Sequence, residues 1–147
     1  MSALYQTEQE AFWAGEFGNA YVDRNSNPQS VAFRTAVFSK ILNRTRNINR
    51  VLEFGANIGQ NLLAIKNLIP NCSFTALEIN VRAVEILRCI PATTVFHGSI
   101  LDFTSDDLGT HDLTLTAGVL IHINPDVLPD VYSRLYECSR AYILINE

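Results

Sequence analysis

Four stretches of the chain carry residues that could do chemistry, and each follows a short apolar run. The first is Val51-Leu52-Glu53-Phe54-Gly55-Ala56-Asn57-Ile58-Gly59. A glycine directly after a strand lets the backbone turn and lets a ligand come close. Gly59 opens a helical pattern and permits tight packing there. The free N–H groups at that helix start suit an anionic group. The same spacing also fits an ordinary strand-to-helix turn. The second stretch is Leu77-Glu78-Ile79-Asn80. An acid about 20 residues after such a turn grips a nucleoside ribose, because one carboxylate accepts from both hydroxyls. A helix-capping or surface acid is the other reading. The third, Gly98-Ser99-Ile100-Leu101-Asp102, places a polar residue, an apolar residue and then an acid. Backbone groups with a hydroxyl or carboxylate can meet an adenine edge there, and aliphatic carbons can cover its face. A plain acidic turn has the same composition. The fourth is Ala117-Gly118-Val119-Leu120-Ile121-His122. Its small residues let another part of a ligand lie across the strand end. His122 has the near-neutral pKa that suits proton transfer, and local packing is its competing role.

The elements that must position these residues are legible in the hydrophobic period. Alternating or continuous apolar runs predict strands over 50–54, 73–78, 93–97, 112–116 and 141–145. Between them, Gly59 to Ile69, Asn80 to Arg88 and Asn124-Pro125 to about Cys138 read as helices, and 104–108 as a helical turn at most. Ahead of the first strand, Thr7 with Glu10 forms a capping box for a short helix. Asn25-Ser26-Asn27-Pro28 then breaks the chain before a helix running to about Asn43. Strands alternating with helices imply an α/β fold: a Rossmann-like, doubly wound parallel sheet of about five strands with helices on both faces. In such sheets ligands bind beyond the carboxyl ends of the strands. The expected organisation is an N-terminal helical lid over 1–46 and a Rossmann-like core over 47–147.

Composition bounds the function. The 147 residues are 48% hydrophobic and 18% charged, which is globular and sufficient for one core. A net charge of −4 argues against a broad nucleic-acid face. No apolar run reaches the roughly 20 residues of a membrane span. The opening Met1–Trp13 lacks the basic-then-apolar pattern of a secretory signal. Cys72, Cys89 and Cys138 are odd in number and widely spaced, so they read as buried thiols of a reducing compartment and not as a metal site. The expected location is cytoplasmic.

The ordered set of the glycine turn, Glu78, Asp102 and the loop after the fourth strand resembles a class I S-adenosylmethionine-dependent methyltransferase over residues 50–147. The family's first motif is usually acid-x-Gly-x-Gly-x-Gly. Asn57 takes the middle glycine position here, and asparagine tolerates left-handed backbone angles. Phe12-Trp13-Ala14-Gly15-Glu16-Phe17-Gly18-Asn19-Ala20-Tyr21-Val22-Asp23-Arg24-Asn25, together with Gly118 to Pro125, resembles the methylases associated with pseudaminic acid biosynthesis. The resemblance implies S-adenosylmethionine as cofactor and methyl transfer to a small molecule, with a sugar or nucleotide sugar of surface-polysaccharide synthesis as the suggested acceptor. It implies that Glu53, Gly55, Ala56, Asn57 and Gly59 surround the methionine part and that Glu78, with Ile79, holds the ribose. Ser99 and Ile100 would frame the adenine with Asp102 behind, and Ala117 and Gly118 would face the amino-acid end. Tyr21 and Arg24 would lie in the lid, with Arg24 pairing the cofactor carboxylate.

A sulfonium methyl is already electrophilic, so alignment and water exclusion supply most of the catalysis. Where the acceptor needs a base, His122 and then Asp23 are the candidates. Two other readings share these residues: an S-adenosylmethionine-binding domain without catalysis, and a nicotinamide-binding oxidoreductase. The resembled fold has seven strands and five are placed here, so the chain is expected to be a natural short form or a fragment. Its fifth strand is expected to leave an apolar edge open to pairing with another copy. No metal, nucleic acid or membrane partner is expected.

Overall fold

The computed structural model describes residues 5–147; the first four residues of the stretch read for a leader lie outside the described residues. Five strands form one sheet: β1 (Arg50–Phe54), β2 (Ser73–Glu78), β3 (Thr93–His97), β4 (His111–Ala117) and β5 (Ser139–Asn146). Their order is β3-β2-β1-β4-β5 and every pairing is parallel. The order reverses between β1 and β4, which makes their carboxyl ends the switch point. Seven α-helices accompany the sheet: α1 (Glu8–Ala14), α2 (Glu16–Arg24), α3 (Gln29–Leu42), α4 (Gln60–Leu68), α5 (Val81–Leu87), α6 (Ser105–Leu108) and α7 (Leu128–Glu137). Short 3-10 turns at Leu120–His122 and Pro125–Val127 precede α7.

Strand alternation divides the core into two faces. Val51, Phe74, Ala76, Leu113 and Leu115 pack with Phe38 of α3, Leu62 and Ile65 of α4 and Leu87 of α5. Leu52, Phe54 and Leu77 pack with Leu120 and with Val131 and Leu135 of α7. Each such fully buried aliphatic or aromatic side chain contributes about 1.5–3 kcal/mol. The helices therefore cover both faces, as the doubly wound reading requires.

Three local features differ from the sequence expectation. The segment before Asn25 forms two helices, broken at Gly15, where the single helix starting after Thr7 was expected. Glycine content hides α2, which buries Gly18 and Val22 and packs on α1 and α5. The helix expected from Asn124 begins as a 3-10 turn that Asn124 caps through its side chain, and the α-helix starts only at Leu128. Cys72 and Cys138 are buried, but Cys89 is exposed on the turn after α5, because it falls on the solvent side of that helix end. The capping box of Thr7 and Glu10 is present as expected. Among the described residues, no helix is long and apolar enough to cross a membrane.

Candidate functional site

The carboxyl ends of β1, β2 and β4 form the floor of a cleft, and α1 and α2 overlie it. Trp13, Tyr21 and Val22 come down from the cap, and Glu53, Gly55, Ala56, Asn57, Glu78, Ala117 and Gly118 come up from the strand ends. The adjoining half of the cleft is walled by Ile79, Ser99, Ile100 and Leu101, with Glu78 and His122 common to both halves. Of the N-terminal helices, α3 packs on the helical layer with Phe38 in the core and reaches the cleft through Arg34.

The β1 turn owes its shape to left-handed residues. Gly55 has φ 68°, and a Cβ there would stand 2.6 Å from Val119 Cγ2, so glycine is what lets the loops after β1 and β4 approach. Asn57 has φ 49°, the conformation its side chain type tolerates. Gly59 has φ 78° and packs against Ile90 and Leu87; it sets the start of α4 against the end of α5 and does not line the cleft.

Two glutamates occupy the floor, with different surroundings. Glu78 accepts from the Asn57 backbone N–H at 2.7 Å on one oxygen and from the Asn80 N–H at 2.8 Å on the other. Burial raises its pKa, and these backbone bonds oppose the rise. Both oxygens keep a lone pair for a diol. Glu53 is 1% exposed. Its Oε1 accepts from Asn61 Nδ2 at 2.6 Å, and its Oε2 is buried with no partner among the described residues. Burial pushes its pKa up to about 8 against the lowering effect of Asn61. Asn61 Oδ1 in turn accepts from Arg34 Nη1 at 2.6 Å. One end of the cleft thus holds an acid with a free acceptor, an amide and a guanidinium in sequence.

Several expected residues take other places. Arg24 does not line the cleft; its guanidinium stands over the Phe17 ring at 5.3 Å and the Tyr21 ring at 5.9 Å. The guanidinium in the cleft belongs to Arg34. Its signal was a charged residue at 34 within the α3 stripe Val31, Phe38 and Ile41, where a core residue belongs. Asp23 pairs with Arg82 at 2.7 Å on the surface and does not line the cleft. Asp102 accepts from the Ser99 backbone N–H at 2.9 Å, closing its own loop, and does not line the cleft. His122 does: its ring lies 4.7 Å from Trp13, where the cleft opens into a groove walled by Phe12, Ile121 and Pro125.

The cap is fastened by polar bonds. Asn80 Nδ2 donates to the Trp13 carbonyl at 3.2 Å and to Asn19 Oδ1 at 3.0 Å, and Gln60 Nε2 donates to the Asn25 carbonyl at 2.6 Å.

No protein-family model matches the chain, and no curated protein matches it as a sequence relative. Solved structures do match. The plantazolicin methyltransferase BpumL in complex with S-adenosylhomocysteine (SAH) superposes with TM-score 0.72 at 15% identity, over 93% of this chain and 56% of that one. The mitomycin 7-O-methyltransferase MmcR gives TM-score 0.72 at 14% identity, over 95% of this chain and 42% of that one. The glycopeptide N-methyltransferase MtfA complexed with sinefungin gives 0.62 at 20% identity, over 75% and 48%. The chain spans about half the length of these structures. At this identity the likeness is one of architecture: the chain has the Rossmann-like α/β fold that these methyltransferases share.

Proposed function

We propose that the chain binds S-adenosylmethionine in this cleft and transfers its methyl group to a small molecule. The observation that carries the reading is the order of groups along the cleft. The buried, unpartnered Glu53 Oε2 suits an ammonium, and Arg34 beside it suits a carboxylate. Glu78 stands next along the cleft for a ribose diol. Ser99 and Ile100 then face a purine. Ala56, Asn57, Ile79, Ala117 and Gly118 line the path between, Gly55 and Gly59 shape it, and Tyr21 closes it from above. The fold shared with SAH- and sinefungin-bound methyltransferases supports the same ligand.

When bound, the sulfonium supplies an electrophilic methyl group. This chain's residues orient it and exclude water: the cap through Trp13 and Tyr21, the floor through Gly118 and Val119. His122 is placed to take a proton from an acceptor lying in the Phe12–Ile121 groove, since it borders both spaces. The Trp13 and Phe12 faces suit the apolar face of a pyranose, which favours the surface-sugar acceptor suggested by the pseudaminic-acid-associated methylases. The described part of the N-terminal segment, residues 5–46, then divides into a lid, α1 and α2, and a helix that supplies Arg34.

Calorimetric titration with SAH and with a nicotinamide dinucleotide tests the reading. SAH binds and the dinucleotide does not. Glu78→Ala weakens SAH binding by at least about tenfold, because two charge-assisted bonds are lost. Dinucleotide binding without SAH binding, or an unchanged affinity in Glu78→Ala, overturns it.

A further inference from the structure

The purine end of the cleft lies between the loop after β3, the segment Ile123 to Val127 and, on the cap side, the start of α1 with Gln9 and Glu10. Glu10 is 9% exposed. Its Oε2 accepts from the Thr7 backbone N–H at 2.6 Å and from the Thr7 hydroxyl at 2.9 Å. Those two bonds complete the capping box and use one oxygen. The other, Oε1, is buried and has no partner among the described residues. A buried acceptor without a donor costs free energy that helix capping does not require, since caps work equally well in water.

Apart from Glu78, which the reading above gives to the ribose, the side-chain oxygens on the facing walls are engaged. The Ser99 hydroxyl accepts from the Leu101 N–H at 3.1 Å. The Asp102 carboxylate is held by the Ser99 N–H at 2.9 Å and stays outside the cleft. The Asn124 side-chain carbonyl accepts from the Asp126 N–H at 2.9 Å. Two side-chain oxygens at this end are buried without a partner among the described residues, Gln9 Oε1 and Glu10 Oε1, and both come from α1. Of the two, only the carboxylate lacks an N–H of its own to offer a 6-oxo group.

We infer that Glu10 reads the exocyclic amino group of the bound purine, so that α1 selects a 6-aminopurine over a 6-oxopurine. This rests on the nucleoside reading of the cleft given above. A fixed carboxylate oxygen accepts from a 6-amino group. Against a 6-oxo group it faces another acceptor, and neither group has a proton to share. Sites that leave a buried polar group unpaired discriminate strongly for this reason.

The test compares SAH with its deaminated analogue, S-inosylhomocysteine, by calorimetry. Wild type binds SAH at least about tenfold more tightly. Glu10→Gln keeps an oxygen for the Thr7 box and turns an amide N–H into the cleft. It therefore lowers the preference by about tenfold or more, by losing SAH affinity and gaining affinity for the inosine compound. Thr7→Ala breaks the box on its hydroxyl side and leaves the preference unchanged. Equal binding of both ligands by wild type overturns the inference without needing any variant to fold. So does an unchanged preference in Glu10→Gln, or a Thr7→Ala variant that shifts as far as Glu10→Gln. Binding of neither ligand by wild type removes the nucleoside reading itself, and the inference with it.

Discussion

Two carboxyl groups share the cleft floor, and burial raises the pKa of both against their hydrogen-bond partners. Glu78 receives an N–H on each oxygen, whereas Glu53 receives one amide and is wholly enclosed. Burial prevails at both, and at Glu53 it pushes the pKa up to about 8, above the ordinary 4.5. The folded state holds that proton more tightly than the unfolded chain. Its contribution to stability is complete below about pH 4.5 and is lost as pH rises through 8. Denaturant unfolding of the ligand-free protein should show stability falling over that window by up to about 1.4 kcal/mol per pH unit. Glu53→Gln should flatten the slope. An ammonium brought to Glu53 by SAH should expel the proton at pH 7. Binding enthalpies measured in buffers of different ionisation heat then differ in wild type and coincide in Glu53→Gln.

At the scale of elements, the cap and the opposite end of the sheet make separable predictions. Gly18 is buried where α2 crosses Asn80, and a Cβ there would collide with the Trp13 carbonyl and approach Asn80 Nδ2 to 2.7 Å. Gly18→Ala must push α2 off α5. The expected cost is roughly 1–3 kcal/mol of stability, with weaker SAH binding because Trp13 and Tyr21 move together. Calorimetry and thermal unfolding on one preparation check both. At the amino ends of the strands, Asp112 accepts from the Asn49 and Arg50 N–H groups at 2.9 Å each and from Arg140 at 2.6 and 2.8 Å. Burial works against its ionisation, but these donors overcome it and lower its pKa. That stabilisation is present above the ordinary carboxylate range and is lost as pH falls through the lowered value. Asp112→Ala should cost about 2–3 kcal/mol near neutrality and less in acid. SAH affinity should not change, since Asp112 lies at the far end of the sheet from the cleft.

The whole molecule presents one sheet edge with consequences. β5 pairs with β4 on one side and has no strand on the other among the described residues. Ile143 and Ile145 are 42% and 47% exposed, and Tyr136 of α7 is 75% exposed. An apolar, unpaired edge is a template for another strand. Sedimentation should therefore show concentration-dependent association, and Ile143→Lys with Ile145→Lys should shift it to monomer. A wild-type monomer at every concentration would overturn the expectation.

Local signals determined the sheet and its turn. The apolar runs, the glycine-asparagine-glycine turn and the acid at position 78 carry period and backbone conformation within a few residues, and the structure has them at those positions. Gly59 shows the same, as a left-handed residue packed on Ile90. Only tertiary structure decided which charges face the cleft. Arg34 meets Asn61 from 27 positions away. Arg24, expected in the lid to pair the cofactor carboxylate, turns instead onto Phe17 and Tyr21. Glu53 and Glu78 are both acids at strand ends, and the glycines at 15 and 18 obscure α2 along the chain. Partners at long range, and the water that burial removes, set each of these outcomes, and neither is written in the neighbouring residues.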